Sequence, residues 1–225
     1  MKKPYIKRFC KISVFNVFIV DGNYIRKNIN EEFTNFGQSY RFNFIPKNEF
    51  WIDKESTPGE EKYFIDHLLV EHRLMKEGMS YKKAIEKADL VEKRERNKYE
   101  HLNNIKKRNI IKNIHKKKLK QYSKNVSVWI INGKLVRDLY CIDFTEGGHD
   151  KVYHFIPEKE IWIDDDISPK ERKFILIHEL HERYLMSKGL NYDKAHRSSS
   201  NLEYFCRHHP SKLSKRLRIE LNKNQ

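Results

Sequence analysis

Short apolar runs bounded by turn residues precede longer stretches of helical periodicity in the second half of this 225-residue chain. Five runs are short and rich in β-branched or aromatic residues, as strands are, and Asn, Gly or Pro residues separate most of them. They cover 126–131, 134–139, 140–145, 152–156 and 160–164. Asn132-Gly133 predicts a tight hairpin turn. A helix is predicted from Ser168-Pro169 to about Gly189, and a second helix over 192–207.

The first half of the chain repeats this pattern at a constant offset of 111 residues. Phe44-Ile45-Pro46 matches Phe155-Ile156-Pro157, and Trp51-Ile52-Asp53 matches Trp162-Ile163-Asp164. Between 42–78 and 153–189, 16 of 37 positions are identical, several times the number expected between unrelated segments. The chain is therefore predicted to hold two copies of one module, copy 1 at 12–93 and copy 2 at about 123–204.

The predicted fold class is α+β, a tandem duplication in which each copy is a small antiparallel sheet followed by two helices. A basic linker over 94–124, predicted to be helical, joins the copies and carries twelve Lys or Arg against two Glu. The expected domains are a first repeat at 1–93, this linker, a second repeat at 125–210 and a basic tail at 211–225.

The net charge of +15 lies almost entirely in the linker and the tail, which makes nucleic acid a conceivable partner through phosphate contacts. The residues expected to make those contacts are Lys106, Lys107, Arg108, Lys116, Lys117 and Lys118. Three cysteines without paired spacing favour a reducing, cytoplasmic location, and no apolar stretch is long enough for a membrane span. The chain contains no phosphate-binding glycine motif, so no nucleotide cofactor is expected.

An ionisable pair lies on the apolar face of the first helix predicted in copy 2. At about 100° per residue, His178 and Glu182 share a narrow face with Phe174 and Leu185. Burying such a pair is costly unless each member is satisfied. Either the two side chains hydrogen-bond to each other as a structural pair, or they are two ligands of a divalent metal ion.

The segment His178-Glu179-Leu180-His181-Glu182 resembles the H-E-x-x-H signature of zincin metallohydrolases. In that family two histidines bind zinc and the glutamate activates water. The resemblance implies a divalent metal of the zinc type, a ligand role for His178 and a general-base role for Glu179. The segment departs from the signature because Glu182 stands at the position of the second histidine and His181 comes one position early. The second ligand is therefore either Glu182 or His181.

The duplication separates the residues that both copies share from those confined to copy 2. Copy 1 keeps His67 and Glu71 but differs at four other positions, which are Leu68 for Glu179, Val70 for His181, Ile85 for His196 and Gln38 for His149. Three apolar replacements are what a copy that lost its site would contain. Copy 2 is thus the candidate active copy, with His196 as a third ligand and His149 as a further partner. The retained pair in copy 1 also fits a structural role.

Glu203 follows His196 by two helical turns, and Glu92 matches it in copy 1. Glu203 therefore has two possible roles: it is a metal ligand or a carboxylate that supports one, or it is a residue that packs the helices.

The leading hypothesis is a metal-dependent hydrolase that acts on a peptide or another acyl or phosphoryl substrate, with its site in copy 2. The alternative is a non-enzymatic nucleic-acid-binding or scaffold protein built from two structural modules.

Overall fold

A computed structural model of the chain describes residues 3–56, 58–97 and 110–224. Within these ranges two compact units are distinguished. The first comprises 3–97 together with Arg137–Asp143, and the second comprises 110–136 and 144–224. Each unit contains one four-stranded sheet and its own helices. The predicted α+β class, with each sheet followed by helices, is confirmed.

The first unit places its long helices after its last strand, so that the sheet is complete before the helices begin. Its sheet has the order β1-β2-β4-β3. Its elements are β1 (Tyr5–Ile12), β2 (Phe15–Val20), α1 (Gly22–Asn28), β3 (Phe36–Gln38), β4 (Glu49–Asp53), α2 (Glu61–Lys76) and α3 (Tyr81–Asn97).

The second unit repeats this arrangement with the sheet order β5-β6-β8-β7 and adds a third long helix. A short 3₁₀ turn at Lys120–Tyr122 follows its first strand. Its helices and strands are α4 (Ile110–Ile114), β5 (His115–Lys118), β6 (Ser127–Ile131), α5 (Gly133–Leu139, which crosses the unit boundary), β7 (Gly147–His149), β8 (Glu160–Asp164), α6 (Arg172–Ser187), α7 (Tyr192–His208) and α8 (Pro210–Lys223).

The core of the second unit lies between the central strands and the helices. Val128 on β6 and Ile161 on β8 are fully buried together with Leu176 and Leu180 on α6. These apolar side chains remove one side of α6 from water, which is the main stabilising contribution to such a layer. The same packing fixes the face of α6 that carries the ionisable residues.

The turn predicted at Asn132-Gly133 and the strand predicted over 134–139 are both wrong, and the two errors have one cause. Asn132-Gly133 does not form a hairpin turn, because the side-chain Oδ1 of Asn132 accepts the backbone N–H of Leu135 at 3.0 Å and so caps α5. The predicted strand over 134–139 is this helix. A helical crossover lets the strands it connects run parallel, and β6 and β8 do pair in parallel. The sheet is therefore mixed rather than antiparallel throughout.

Two further predicted strands do not form, and one predicted helix begins a few residues later than expected. The segments 140–145 and 152–156 form loops and turns instead of strands. The first long helix of copy 2 begins at Arg172 rather than Ser168, because Ser168 starts a turn in which its carbonyl accepts the Glu171 N–H at 2.9 Å. Gly189, with φ of 90°, follows the end of that helix, as the sequence predicts.

The linker and tail are incorporated into the second unit more than the sequence indicates. Within 94–124 the part at 115–118 is strand β5, an edge strand paired with β6, and is not helical. Lys106, Lys107 and Arg108 lie outside the described residues. The tail is α8, whose Leu213 and Leu217 belong to the buried core. Among the residues described, no helix has the length and apolar character needed to cross a membrane.

Candidate metal centre

Helix α6 brings three of the predicted site residues to one buried place. His178 and Glu182 lie one turn apart on it and are 9% and 3% exposed, and Glu179 is 8% exposed. Helix α7 packs against α6 and contributes His196, near its N-terminal end. The side chain of His196 is 34% exposed, so the cluster meets solvent on that side.

Two imidazole nitrogens and one carboxylate oxygen converge between α6 and α7. The Nδ1 atom of His196 lies 2.8 Å from Oε2 of Glu182 and 3.2 Å from Nε2 of His178. The Nε2 atom of His178 lies 3.6 Å from the same Oε2. Ligands about 2.0 Å from a tetrahedral zinc ion are separated by about 3.3 Å. The three atoms thus have the spacing of three ligands around one ion.

The hydrogen bonds of His178 leave the correct nitrogen for such an ion. Its Nδ1 lies 2.9 Å from Oε2 of Glu203. An ionised carboxylate only accepts, so Nδ1 carries the hydrogen and Nε2 of the neutral ring presents a lone pair. Histidine ligands of metals are commonly oriented by a carboxylate in this way. Glu203 therefore supports His178 and does not join the ligand cluster.

A buried ionic chain continues behind Glu203. Arg207 donates from Nε to Oε1 of Glu203 at 2.8 Å and from an Nη atom to Oε2 of Glu171 at 2.5 Å. Glu171, Glu182 and Glu203 carry three formal negative charges, whereas Arg207 carries one positive charge. The remaining formal charge of −2 is what a divalent cation, or two imidazolium rings, would neutralise.

The electrostatics of the cluster follow from this charge balance. Burial opposes the charged form of His178, but the neighbouring carboxylates of Glu182 and Glu203 outweigh it and raise the pKa of the ring well above its usual value. Burial would raise the pKa of Glu182, yet the surrounding rings of His149, His178 and His196 lower it far below the ordinary range. In the same manner His178 and Arg207 overcome burial and lower the pKa of Glu203.

Glu179 is enclosed beside the cluster and does not point to bulk solvent. Burial raises the pKa of its carboxyl group to about 8, and the charge of Glu182 adds to the effect. A Cβ atom on Gly147 would lie 2.8 Å from Ile175 and 3.3 Å from Cγ of Glu179, so a larger residue there would displace Ile175 and tighten the contact with Glu179. Glu179, His149 and Glu182 form a second group whose polar atoms lie within 4.8 Å of one another.

Copy 1 keeps the supporting framework but lacks the imidazole that His196 supplies in copy 2. His67 lies 3.3 Å from Glu71 through Nε2 and 3.0 Å from Glu92 through Nδ1, and Arg96 bonds Glu92 at 2.8 Å. At the position of His196 stands Ile85, which has no ligand atom. The His–Glu pair alone is therefore a structural feature of both copies, whereas, among the residues that the structure describes, the three-donor cluster occurs in copy 2 and not in copy 1.

The space beside the cluster also differs between the copies. Phe36 stands where copy 2 has Gly147, and its ring contacts Phe64 at 4.6 Å and His67 at 5.1 Å between centroids. Copy 1 thus carries an aromatic side chain in contact with its histidine, at the position where copy 2 has glycine. Sequence reasoning missed Gly147, Arg207 and Glu171, although the offset of 111 residues already aligned Gly147 with Phe36 and matched the other two to Arg96 and Glu60.

Two further histidines predicted near the site, His181 and His149, have hydrogen-bond partners of their own. The Nδ1 atom of His181 lies 3.0 Å from Glu220 on α8, and its Nε2 lies 3.1 Å from Oγ of Ser198. His181 therefore ties three helices together and is not part of the ligand cluster, which leaves Glu182 as the residue beside His178. Nε2 of His149 lies 3.1 Å from Oε1 of Glu182, so His149 contacts the cluster through the other oxygen of this glutamate.

The lysines expected to bind nucleic acid lie apart from this cluster in sequence and in structure. Lys116, Lys117 and Lys118 are exposed on the edge strand β5. Lys116 pairs with Asp165, and the Nζ atom of Lys118 lies 5.6 Å from the centre of the Trp129 ring. These are contacts within the unit, and they explain part of the basic run as surface packing.

Comparisons of the chain with protein-family models, with curated proteins and with solved structures found no match.

Proposed function

We propose that the second repeat is the catalytic part of a metal-dependent hydrolase. His178, Glu182 and His196 would hold a divalent cation of the zinc type. The observation that supports the proposal is the convergence of Nε2, Oε2 and Nδ1 of these residues within 3.6 Å, in a buried cluster of formal negative charge. The resemblance of 178–182 to the zincin signature agrees with it.

A divalent cation bound there would lower the pKa of water and polarise a substrate oxygen. With the cation bound, Glu179 would serve as the general base towards water, because its carboxyl group lies beside the ligands without belonging to the three-donor cluster. Glu203 holds His178 by its Nδ1–H, and Arg207 holds Glu203. The substrate class is acyl or phosphoryl, with a peptide as one example. The cysteine content favours a cytoplasmic enzyme.

Metal analysis of the purified full-length chain tests the proposal. Plasma mass spectrometry, without added metal, should give about one equivalent of a divalent ion per chain, as a single site implies. His178→Ala and His196→Ile should lose the ion, whereas His67→Ala, the matched change in copy 1, should retain it. His196→Ile installs the residue that copy 1 carries, so it is the milder of the two changes. Circular dichroism verifies that each variant is folded.

Two results would contradict the proposal. One is a wild-type chain that holds no divalent ion even after dialysis against zinc. The other is equal loss of metal from His178→Ala and His67→Ala, which would mean that the ion binds in copy 1 or that both changes act through folding.

A further inference from the structure

His149 and Gln38 occupy the same place in the two copies. Each is the last residue of a three-residue edge strand, β7 and β3 respectively, and each side chain is fully buried. The strand register is also matched, since His149 pairs with Ile161 and Gln38 pairs with Phe50. Any difference in their roles must therefore come from the side chains themselves.

The two side chains make the same pair of hydrogen bonds. The amide oxygen of Gln38 accepts the N–H of Tyr40 at 2.7 Å, and its Nε2 donates to Oε1 of Glu71 at 2.6 Å. In copy 2 the N–H of Lys151 donates to Nδ1 of His149 at 3.1 Å, and Nε2 of His149 lies 3.1 Å from Oε1 of Glu182. In glutamine the side-chain oxygen can only accept and the side-chain nitrogen can only donate, so the direction of both hydrogen bonds is fixed at Gln38.

This pattern fixes the tautomer of His149. A ring nitrogen that accepts a backbone N–H carries no hydrogen, so Nε2 of the neutral ring must carry it. A nitrogen that bears a hydrogen has no lone pair for a metal ion. His149, Glu179 and Glu182 are therefore not a ligand set, although their polar atoms lie within 4.8 Å of one another.

We propose that His149 is a positioning residue that holds Glu182 by Oε1, so that the glutamate presents only Oε2 to His178 and His196. This inference rests on the proposed metal site. It implies three protein ligands and a glutamate that binds through one oxygen, which leaves a coordination position open, as catalytic sites require. It also leaves Glu179 outside the ligand set, so that Glu179 is available as the general base.

Copy 1 supplies the conservative variant that tests this role. His149→Gln keeps both hydrogen bonds, and His149→Leu removes both while filling similar space. Zinc affinity of the full-length chain is measured by competition with a chromophoric chelator. We expect His149→Gln to bind about one equivalent with affinity within a few-fold of wild type. We expect His149→Leu to bind about 10- to 100-fold more weakly, the usual loss when a supporting partner of a ligand is removed.

Cobalt(II) substitution separates positioning from ligation. The visible absorption of bound Co²⁺ reports the number and type of its ligands, so it should be unchanged in His149→Gln and absent in His196→Ile, which loses the ion. Loss of metal in His149→Gln as complete as in His178→Ala, or an altered cobalt spectrum, would show that His149 is a ligand. Wild-type affinity in His149→Leu would show that it does not position Glu182.

A measurement on the wild-type chain reads the tautomer directly and uses a variant only for assignment. Nitrogen-15 NMR of the histidine rings, with His149 assigned by its absence from His149→Gln, should show hydrogen on Nε2 and none on Nδ1. The opposite tautomer would overturn the inference. A wild-type chain without any zinc binding is a different result, because it would remove the proposed function itself while the tautomer could still be read.

Discussion

Ile85→His should give copy 1 a metal site of its own. Two of the three ligands are already in place, since Nε2 of His67 and Oε2 of Glu71 are 3.3 Å apart, against 3.6 Å for the equivalent pair in copy 2. Glu92 supports Nδ1 of His67 at 3.0 Å, as Glu203 supports His178 at 2.9 Å. The variant supplies only the missing imidazole and should bind one more equivalent of zinc than wild type.

The affinity of the new site should depend on pH in a defined direction. Burial opposes the charge on His67, but hydrogen bonds to Glu71 and Glu92 outweigh it and raise the pKa of the ring to about 9. A metal ligand must be deprotonated, so zinc has to displace this proton. At pH 7 the competition lowers the apparent affinity about 100-fold, and the affinity should rise about tenfold per pH unit up to about pH 9.

Zinc titration of Ile85→His at pH 7, 8 and 9, monitored by calorimetry with plasma mass spectrometry for stoichiometry, checks both numbers. The site should bind metal without adding turnover, because Leu68 stands at the position of the base Glu179. His196→Ile is the reciprocal control and should have one equivalent less than wild type. If a folded Ile85→His still binds no extra ion at pH 9, the three-donor geometry is not sufficient for a site and the reasoning fails.

Two further predictions concern catalysis and stability. Glu179→Gln should keep the metal and the fold but lower turnover of an ester or peptide substrate by about 10²-fold, because it removes a base and not a ligand; a proportional loss of metal would contradict this. The raised pKa of His67 stabilises the fold fully below about 6.5 and no longer does so above about 9, so this group contributes a fall of about 3 kcal/mol in the free energy of unfolding between pH 6 and pH 10. Urea titration should show that wild type loses about 3 kcal/mol more than His67→Gln over this range, and an equal loss in the two proteins would assign the fall to other groups.

The duplication was the most informative property of the sequence. It separated Ile85 and Leu68 in copy 1 from His196 and Glu179 in copy 2, and the structure places all of these positions beside the equivalent His–Glu pairs. A repeat compares two sequences that share one fold, so differences between them point to chemistry rather than to packing. The same comparison also paired Phe36 with Gly147, but only the structure shows that a Cβ atom at Gly147 would lie close to Ile175 and Glu179.

The errors came from reading short segments by local propensity. Asn132-Gly133 suits a hairpin turn, but an asparagine is equally suited to cap a helix, and only the pairing of β6 with β8 decides between them. The strand β5 was not predicted because its sequence is rich in lysine. An edge strand with one exposed side does not need apolar residues at each position.

The sequence alone determined that His178 and Glu182 share the buried face of a helix, because the helical period fixes the relation of residues four apart whatever surrounds them. It also determined that the chain contains two copies of one module. Only the tertiary structure decided that His196 reaches this pair from another helix, that Glu203 rather than a metal faces Nδ1 of His178, and that His149 donates a hydrogen bond. These distances join atoms on different elements, and they depend on how the strands and helices pack rather than on any local pattern.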